Sequence, residues 1–298
     1  MSRPSSLEVD PKEFGQKPPF DEKLQKPPGL EQEMRNKPDH GEESYRGHDR
    51  LRGKVALITG GDSGIGKAVA IAFAREGADV AFSYLPEEEP DAQETVRWVR
   101  EAGRRVLPLP GNLTDERYCR EIAERTEREL GRLDILVNNA AYQMTHEKLE
   151  EFSSEEWDHT FRTNIYAMFY LSQAAVPLMK KGGAIINTAS VQTYEPTGHL
   201  LAYATTKGAI AAFTKALSEL VLDRGIRVNA VAPGPVWTPL IPSSMPEKKT
   251  RDFGKSDALG RPAQPAELAP AYVFLAATEE SSYITASVLD VTGGRMLP

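Results

Sequence analysis

With 298 residues, 40% of them hydrophobic, and a formal net charge of −7, the chain can bury a sizeable core and is too acidic for nucleic acid or an anionic membrane to be its main partner. Its apolar runs are far too short to cross a bilayer. A single cysteine, Cys119, excludes an intrachain disulfide and suits a reducing cytoplasm, with a packed thiol as the expectation at that position.

Residues 1–50 form the first segment and hold seven of the 22 prolines, with mixed charge and almost no apolar periodicity. There is no apolar stretch of the kind a secretory signal needs. The imperfect repeat Gln16-Lys17-Pro18-Pro19 and Gln25-Lys26-Pro27-Pro28 favours extended chain. Two readings follow: a disordered tail, or an arm lying across the rest of the molecule or a neighbouring subunit. Phe14, Phe20, Leu24, Leu30 and Met34 are the anchors of the second reading.

Residues 51–298 read as one domain. The apolar run Val55-Ala56-Leu57-Ile58 leads into Thr59-Gly60-Gly61-Asp62-Ser63-Gly64-Ile65-Gly66 and then a helical pattern. Strand, glycine turn and helix in that order make a dinucleotide site. Gly60 permits the tight turn, Gly64 lets a pyrophosphate approach the backbone, and Gly66 lets helix and strand pack closely, with the phosphates at the positive end of the helix. Strands are predicted at 54–59, 79–84, 105–109, 133–137, 183–188, 226–232 and 287–291. Helices are predicted over 64–77, 91–103, 115–131, 155–180, 201–223 and 265–276. This alternation implies an α/β fold, a Rossmann-like doubly wound parallel seven-stranded sheet with helices on both faces. Residues 234–262, rich in Pro, Gly and Ser, are expected to form a substrate lid.

Within the helix over 201–223, Tyr203 and Lys207 stand four residues apart and share a face. A phenol titrates near ~10, and a nearby cation lowers that value, so the pair is a candidate general acid/base. Ser190, 13 residues upstream of Tyr203, offers a hydroxyl to a substrate oxygen.

Together these motifs resemble the short-chain dehydrogenase/reductase family in its compact subtype. Further matches are Asn138-Asn139-Ala140-Ala141, Asn164, Pro233-Gly234, and the tail from Tyr283-Ile284-Thr285 to Gly293-Gly294. The resemblance runs over roughly residues 51–298. The arm and the segment Tyr84-Leu85-Pro86-Glu87-Glu88-Glu89 point to the branch of bacterial general-stress oxidoreductases and plant glucose/ribitol dehydrogenase homologues. It implies NADP or NAD as cofactor, held by Gly60, Asp62, Ser63, Gly64, Ile65, Gly66, Tyr84, Asn112, Leu113, Asn139, Ala140, Tyr203, Lys207, Pro233, Gly234, Val236 and Thr238. Tyr84 stands at the end of the second strand, where NAD-preferring sites place an acid, so no carboxylate there repels a 2′-phosphate. No Arg or Lys stands there or at Ser63, and Glu87-Glu88-Glu89 adds negative charge, so the choice between the two cofactors stays open. Asn112 occupies a usual aspartate position near the adenine, and its side-chain oxygen can accept from the adenine amino group. Ala141 replaces a usual glycine.

By the same resemblance the catalytic set is Asn164, Ser190, Tyr203 and Lys207. Tyr203 exchanges a proton with the carbonyl or alcohol oxygen, and Ser190 positions that oxygen. Lys207 lowers the tyrosine pKa and holds the nicotinamide ribose, Asn164 anchors a relay water, and Thr238 holds the carboxamide. Ser190, Gln192 and Tyr203 face the substrate, with Tyr142, Gln143, His199 and Trp237 as further pocket candidates favouring a small aldehyde or sugar. The five histidines share no ligand spacing, so no metal is expected. The alternatives are a 3-oxoacyl-thioester reductase and a cofactor-binding stress protein with little activity. The helices over 155–180 and 201–223 carry more small and apolar residues than one buried face needs, Ala167, Ala174, Ala209, Ala211 and Ala212 among them. The resemblance implies that they pair across a two-fold axis in a homotetramer, which the Gly293-Gly294 tail helps to form.

Overall fold

The computed structural model describes residues 10–295. Seven strands form one sheet in the order β3-β2-β1-β4-β5-β6-β7: β1 (Val55–Thr59), β2 (Asp79–Tyr84), β3 (Val106–Pro110), β4 (Ile135–Asn138), β5 (Ala184–Thr188), β6 (Arg227–Pro233) and β7 (Val288–Val291). Every neighbouring pair is parallel. Strands β1, β2, β4, β5 and β6 are buried at every position, as covering on both faces requires, and only β3 and the edge strand β7 are open in part. All seven lie within two residues of the predicted bounds.

The helices cover both faces. One face carries α1 (Gly64–Arg75), α2 (Glu89–Glu101) and α9 (Pro265–Ala276), packed through Ala68, Ala72, Phe73, Val96, Leu268 and Tyr272. The other carries α3 (Glu116–Leu130) and α5 (Ala167–Leu178), packed through Cys119, Ile122, Leu171 and Ala175, with α6 (Leu201–Val221) beside them. Helix α3 shows why such segments start and stop where they do: the Asp115 side chain accepts from the Arg117 N–H at its N-cap, and Gly131 closes it at φ +83°.

Two predicted elements differ in shape. The helix expected over 155–180 is α4 (Ser154–Phe161), one π-helical turn at Arg162–Tyr166, and α5. The Asn164 side chain bonds the main chain of Tyr142 and Thr206 Oγ1 from inside this wide turn. The lid expected over 234–262 contains two short helices, α7 (Leu240–Ser244) and α8 (Glu247–Arg251), and α10 (Thr278–Ser281) follows α9.

The arm is extended and packs on the rest of the chain. Phe20 and Met34 are buried with Trp237 and Ile241, whereas Leu24 is 50% exposed. Phe14 and Leu30 are partly covered. The sheet order reverses between β1 and β4, which opens a crevice at the carboxyl ends of the strands.

Candidate active site

At that crevice lies a cleft of about 640 Å³. Its wall contains every residue expected to hold the cofactor except Gly66: Gly60, Asp62, Ser63, Gly64, Ile65, Tyr84, Asn112, Leu113, Asn139, Ala140, Tyr203, Lys207, Pro233, Gly234, Val236 and Thr238. Gly66 lies behind the turn, where an added Cβ would sit 1.8 Å from the Gly60 carbonyl oxygen. Gly60 itself takes φ +62°, which an L side chain rarely adopts. A Cβ at Gly64 would stand 3.0 Å from Thr238 Cγ2, so the glycine turn and the start of the lid segment touch across the cleft.

The floor is built from main-chain turns fixed by side chains. Thr59 Oγ1 accepts from the N–H groups of Asn139 and Ala140 at 2.9 and 3.0 Å, and Asn139 Nδ2 donates to the Thr59 carbonyl at 3.0 Å. Beside it the helix α1 presents its N-terminus, where free N–H groups favour an anion. Two buried polar atoms of the cleft wall, Asp62 Oδ2 and Ser83 Oγ, have no hydrogen-bond partner among the described residues. A glycine cradle, a helix N-terminus and unpaired acceptors are the set that a pyrophosphate and a ribose hydroxyl would complete, so the residues present fit a dinucleotide.

On the adenosine side Tyr84 lines the cleft. Tyr84 is buried and donates its hydroxyl to Glu89 Oε2 at 2.7 Å. Carboxyls nonetheless reach this part of the cleft, from Asp62 and Glu88. Burial pushes both up; Asp91 and Glu31 raise Asp62 further, and Asp62 and Asp91 raise Glu88. Asn112 Oδ1 already accepts from the Thr114 N–H at 2.9 Å, which leaves it one lone pair for an adenine amino group.

At the other end Ser190, Tyr203 and Lys207 meet on the cleft wall. Lys207 is buried, donates from Nζ to the Thr188 carbonyl at 2.6 Å, and stands 5.2 Å from the centroid of the Tyr203 ring. Burial pushes Lys207 down to about 7. Burial pushes the Tyr203 phenol up to about 12, offset in part by its hydrogen bond with Ser190. In the chain by itself desolvation sets the phenol, and the expected lowering by Lys207 is not seen. Asn164 is buried behind this group and borders a second cavity of about 10 Å³ with Thr188 and Ile210, about the size that one water needs.

Of the pocket candidates, Tyr142, Gln143, Gln192 and His199 line the cleft. Gln192 Oε1 is held by the Thr197 N–H at 2.8 Å. Trp237 does not line it: fully buried, it stacks on Phe20 at 3.9 Å and donates Nε1–H to the Asn36 carbonyl at 2.7 Å. Sequence reading missed Pro27, Pro28, Ser83, Glu88, Lys249 and Arg295 in the wall. The run of three glutamates after β2 was the signal for Glu88, and the others depend on tertiary approach alone.

Doubly wound topology, a glycine cradle at the switch point and a Tyr–Lys pair with a serine in one cleft define a dinucleotide-dependent oxidoreductase. Comparison with known proteins agrees. The family model described as enoyl-(acyl carrier protein) reductase matches residues 60–295. General stress protein 39 of Bacillus subtilis is 49% identical over 91% of this chain and 94% of its own. The NADPH-dependent aldehyde reductase 1, chloroplastic, of Arabidopsis thaliana is 46% identical over 91% of this chain and 96% of its own. A short-chain dehydrogenase from Burkholderia cenocepacia, solved in complex with NADP, superposes with a TM-score of 0.77 at 31% identity, covering 82% of this chain and 98% of that one. The chain belongs to the short-chain dehydrogenase/reductase family and is an NAD(P)-dependent enzyme.

Proposed function

We propose that the enzyme interconverts a carbonyl, in a small aldehyde or sugar, and the corresponding alcohol, with Tyr203 as the acid/base. The observation that carries this reading is the meeting of Ser190, Tyr203 and Lys207 in one cleft with the glycine turn. The bound nicotinamide would supply or accept the hydride. Tyr203, held in its protonated form at neutral pH, is set to donate to a carbonyl oxygen, and the Ser190 hydroxyl, already bonded to that phenol, orients the same oxygen. Lys207, near its midpoint at neutral pH, is the group able to pass a proton onward, and the Asn164 cavity offers room for a relay water. Thr238, across from Gly64, is the candidate for holding the carboxamide.

Gln143, Gln192, Tyr142 and His199 give the substrate end polar groups, which suits a small polar carbonyl compound more than a long acyl chain. The plant relative named as an aldehyde reductase supports the same class. Assay by nicotinamide absorbance with NADPH and NADH over a panel of aldehydes, sugars and one 3-oxoacyl thioester tests the reading. Turnover confined to the thioester would overturn the substrate class, and no turnover with any member would favour a binding protein. A cytoplasmic homotetramer belongs to the same proposal, supported by one buried thiol and by exposed aromatic side chains on α4 and α5.

A further inference from the structure

The arm does more than cover a flank. Pro27 and Pro28 are part of the cleft wall. The next residue, Gly29, is pressed so closely onto the lid that an added Cβ would lie 2.9 Å from both the Pro239 oxygen and Ser243 Cβ. On the lid side the Gln25 N–H donates to the Pro242 carbonyl at 2.9 Å and the Phe20 N–H to the Arg251 carbonyl at 2.8 Å. Those carbonyls belong to α7 and α8, which carry lid residues of the cleft.

The same segment is fastened on the other side of the cleft. Glu31, buried, accepts from Lys67 Nζ of α1 at 2.6 Å and meets His40 Nε2 at 2.9 Å. The N–H groups of Glu31 and Gln32 donate to the Asp91 carboxylate of α2 at 2.6 and 3.0 Å. A buried ion pair of this kind costs several kcal/mol to leave half-made, so this end is a firm attachment. The lid is also held from its far side, where Gln143 Nε2 donates to Ser244 Oγ at 2.7 Å and Thr145 Oγ1 to the Ser244 carbonyl at 2.8 Å.

We infer that residues 20–40 are a working part of the dinucleotide site: a roof tying the glycine-turn helix α1 to the substrate lid, which sets how fast the cofactor leaves. A dinucleotide in this cleft would lie under chain bonded to both of its banks. Release then requires that the roof detach from the lid, and the Phe20–Trp237 stack is the contact that closes it. Lid opening or product release limits the turnover of many enzymes.

The test reads cofactor release without turnover, so it stands apart from the proposed substrate and from the role of Tyr203. Displacement of bound NADPH or NADH would be followed by stopped-flow fluorescence in three variants. Phe20→Ala and deletion of residues 1–45 should each speed dissociation at least tenfold. Lys12→Ala, at an exposed position of the arm outside residues 20–40, should leave the rate within twofold of wild type. If the deletion does not fold, Phe20→Ala decides alone. An unchanged dissociation rate in folded Phe20→Ala, whatever its melting temperature, would overturn the inference and leave the arm as packing only.

Discussion

Burial sets the protons at the two ends of the cleft. The Tyr203 phenol, raised to about 12, keeps its proton across the working range, so Tyr203→Phe removes the proton that a carbonyl oxygen needs while keeping the ring in the cleft wall. Carbonyl reduction should fall at least ~100-fold with cofactor affinity nearly unchanged, and steady-state rates beside a binding titration measure the two effects separately. Lys207 is depressed to about 7, so between that value and the ordinary lysine range the native chain binds fewer protons than the unfolded one. Stability should therefore rise with pH across this window, and the rise should flatten in Lys207→Met, as urea denaturation from pH 7 to 9 would show. Asp62 and Glu88 behave in the opposite sense, because their carboxyls are raised. As pH climbs above neutral they ionise and repel a 2′-phosphate, whose own second ionisation lies near ~6. The ratio of NADP to NAD affinity should fall with rising pH, and Glu88→Gln should blunt that fall. Residue types and spacing made Tyr203, Lys207 and the glycines legible in the sequence. Trp237 was misplaced because a tryptophan after Pro-Gly-Pro reads as a pocket wall until its partner, Phe20, more than two hundred residues away in sequence, is seen.

At the scale of elements, apolar runs such as Val55–Ile58 and the alternation of strand and helix made the sheet legible to within two residues of each strand's bounds. The π turn at Arg162–Tyr166 was not, because it arises from the Asn164 side chain bonding a neighbouring loop and leaves the helical spacing of the sequence intact. The arm showed its apolar anchors Phe20 and Met34 but hid its polar ones, because in a proline-rich stretch without periodicity charged residues look solvated. In fact Glu31, His40 and Lys67 are buried together, and Glu76 at the end of α1 is buried against Tyr45, His48 and Arg50 of the arm. Burial opposes the charge of Glu76, yet hydrogen bonds from Arg50, Tyr45 and two main-chain N–H groups hold its carboxyl down at about 2. Its contribution is present above the usual carboxylate range and is lost as pH falls toward that value. Glu76→Ala would leave these buried donors without an acceptor and should destabilise the protein by about 3 kcal/mol or more. Thermal or urea melts at pH 7 check this, and the loss should shrink as the wild type approaches pH 2.

For the whole molecule, the proposed homotetramer would cover apolar side chains that the single chain exposes. Trp157 on α4, Tyr166 in the π turn, Phe169 on α5, Leu220 on α6 and Tyr283 near the tail are all open to solvent in the single chain. Light scattering should give a mass near four chains, and Phe169→Asp should lower it, since a charge placed in an apolar contact must be desolvated. A monomeric, fully active wild type would refute the assembly. The long reach of the arm has one more consequence, in the order of synthesis. Asn36 meets Trp237 across 201 residues, Asp39 meets Gln264 across 225, and Pro11 meets Arg261 across 250. Residues 11, 36 and 39 thus find these partners only after 201 to 250 further residues have been made. At roughly 5–20 residues per second these contacts stay unmade for about 10–50 s of translation, while those to α1 and α2 can already form.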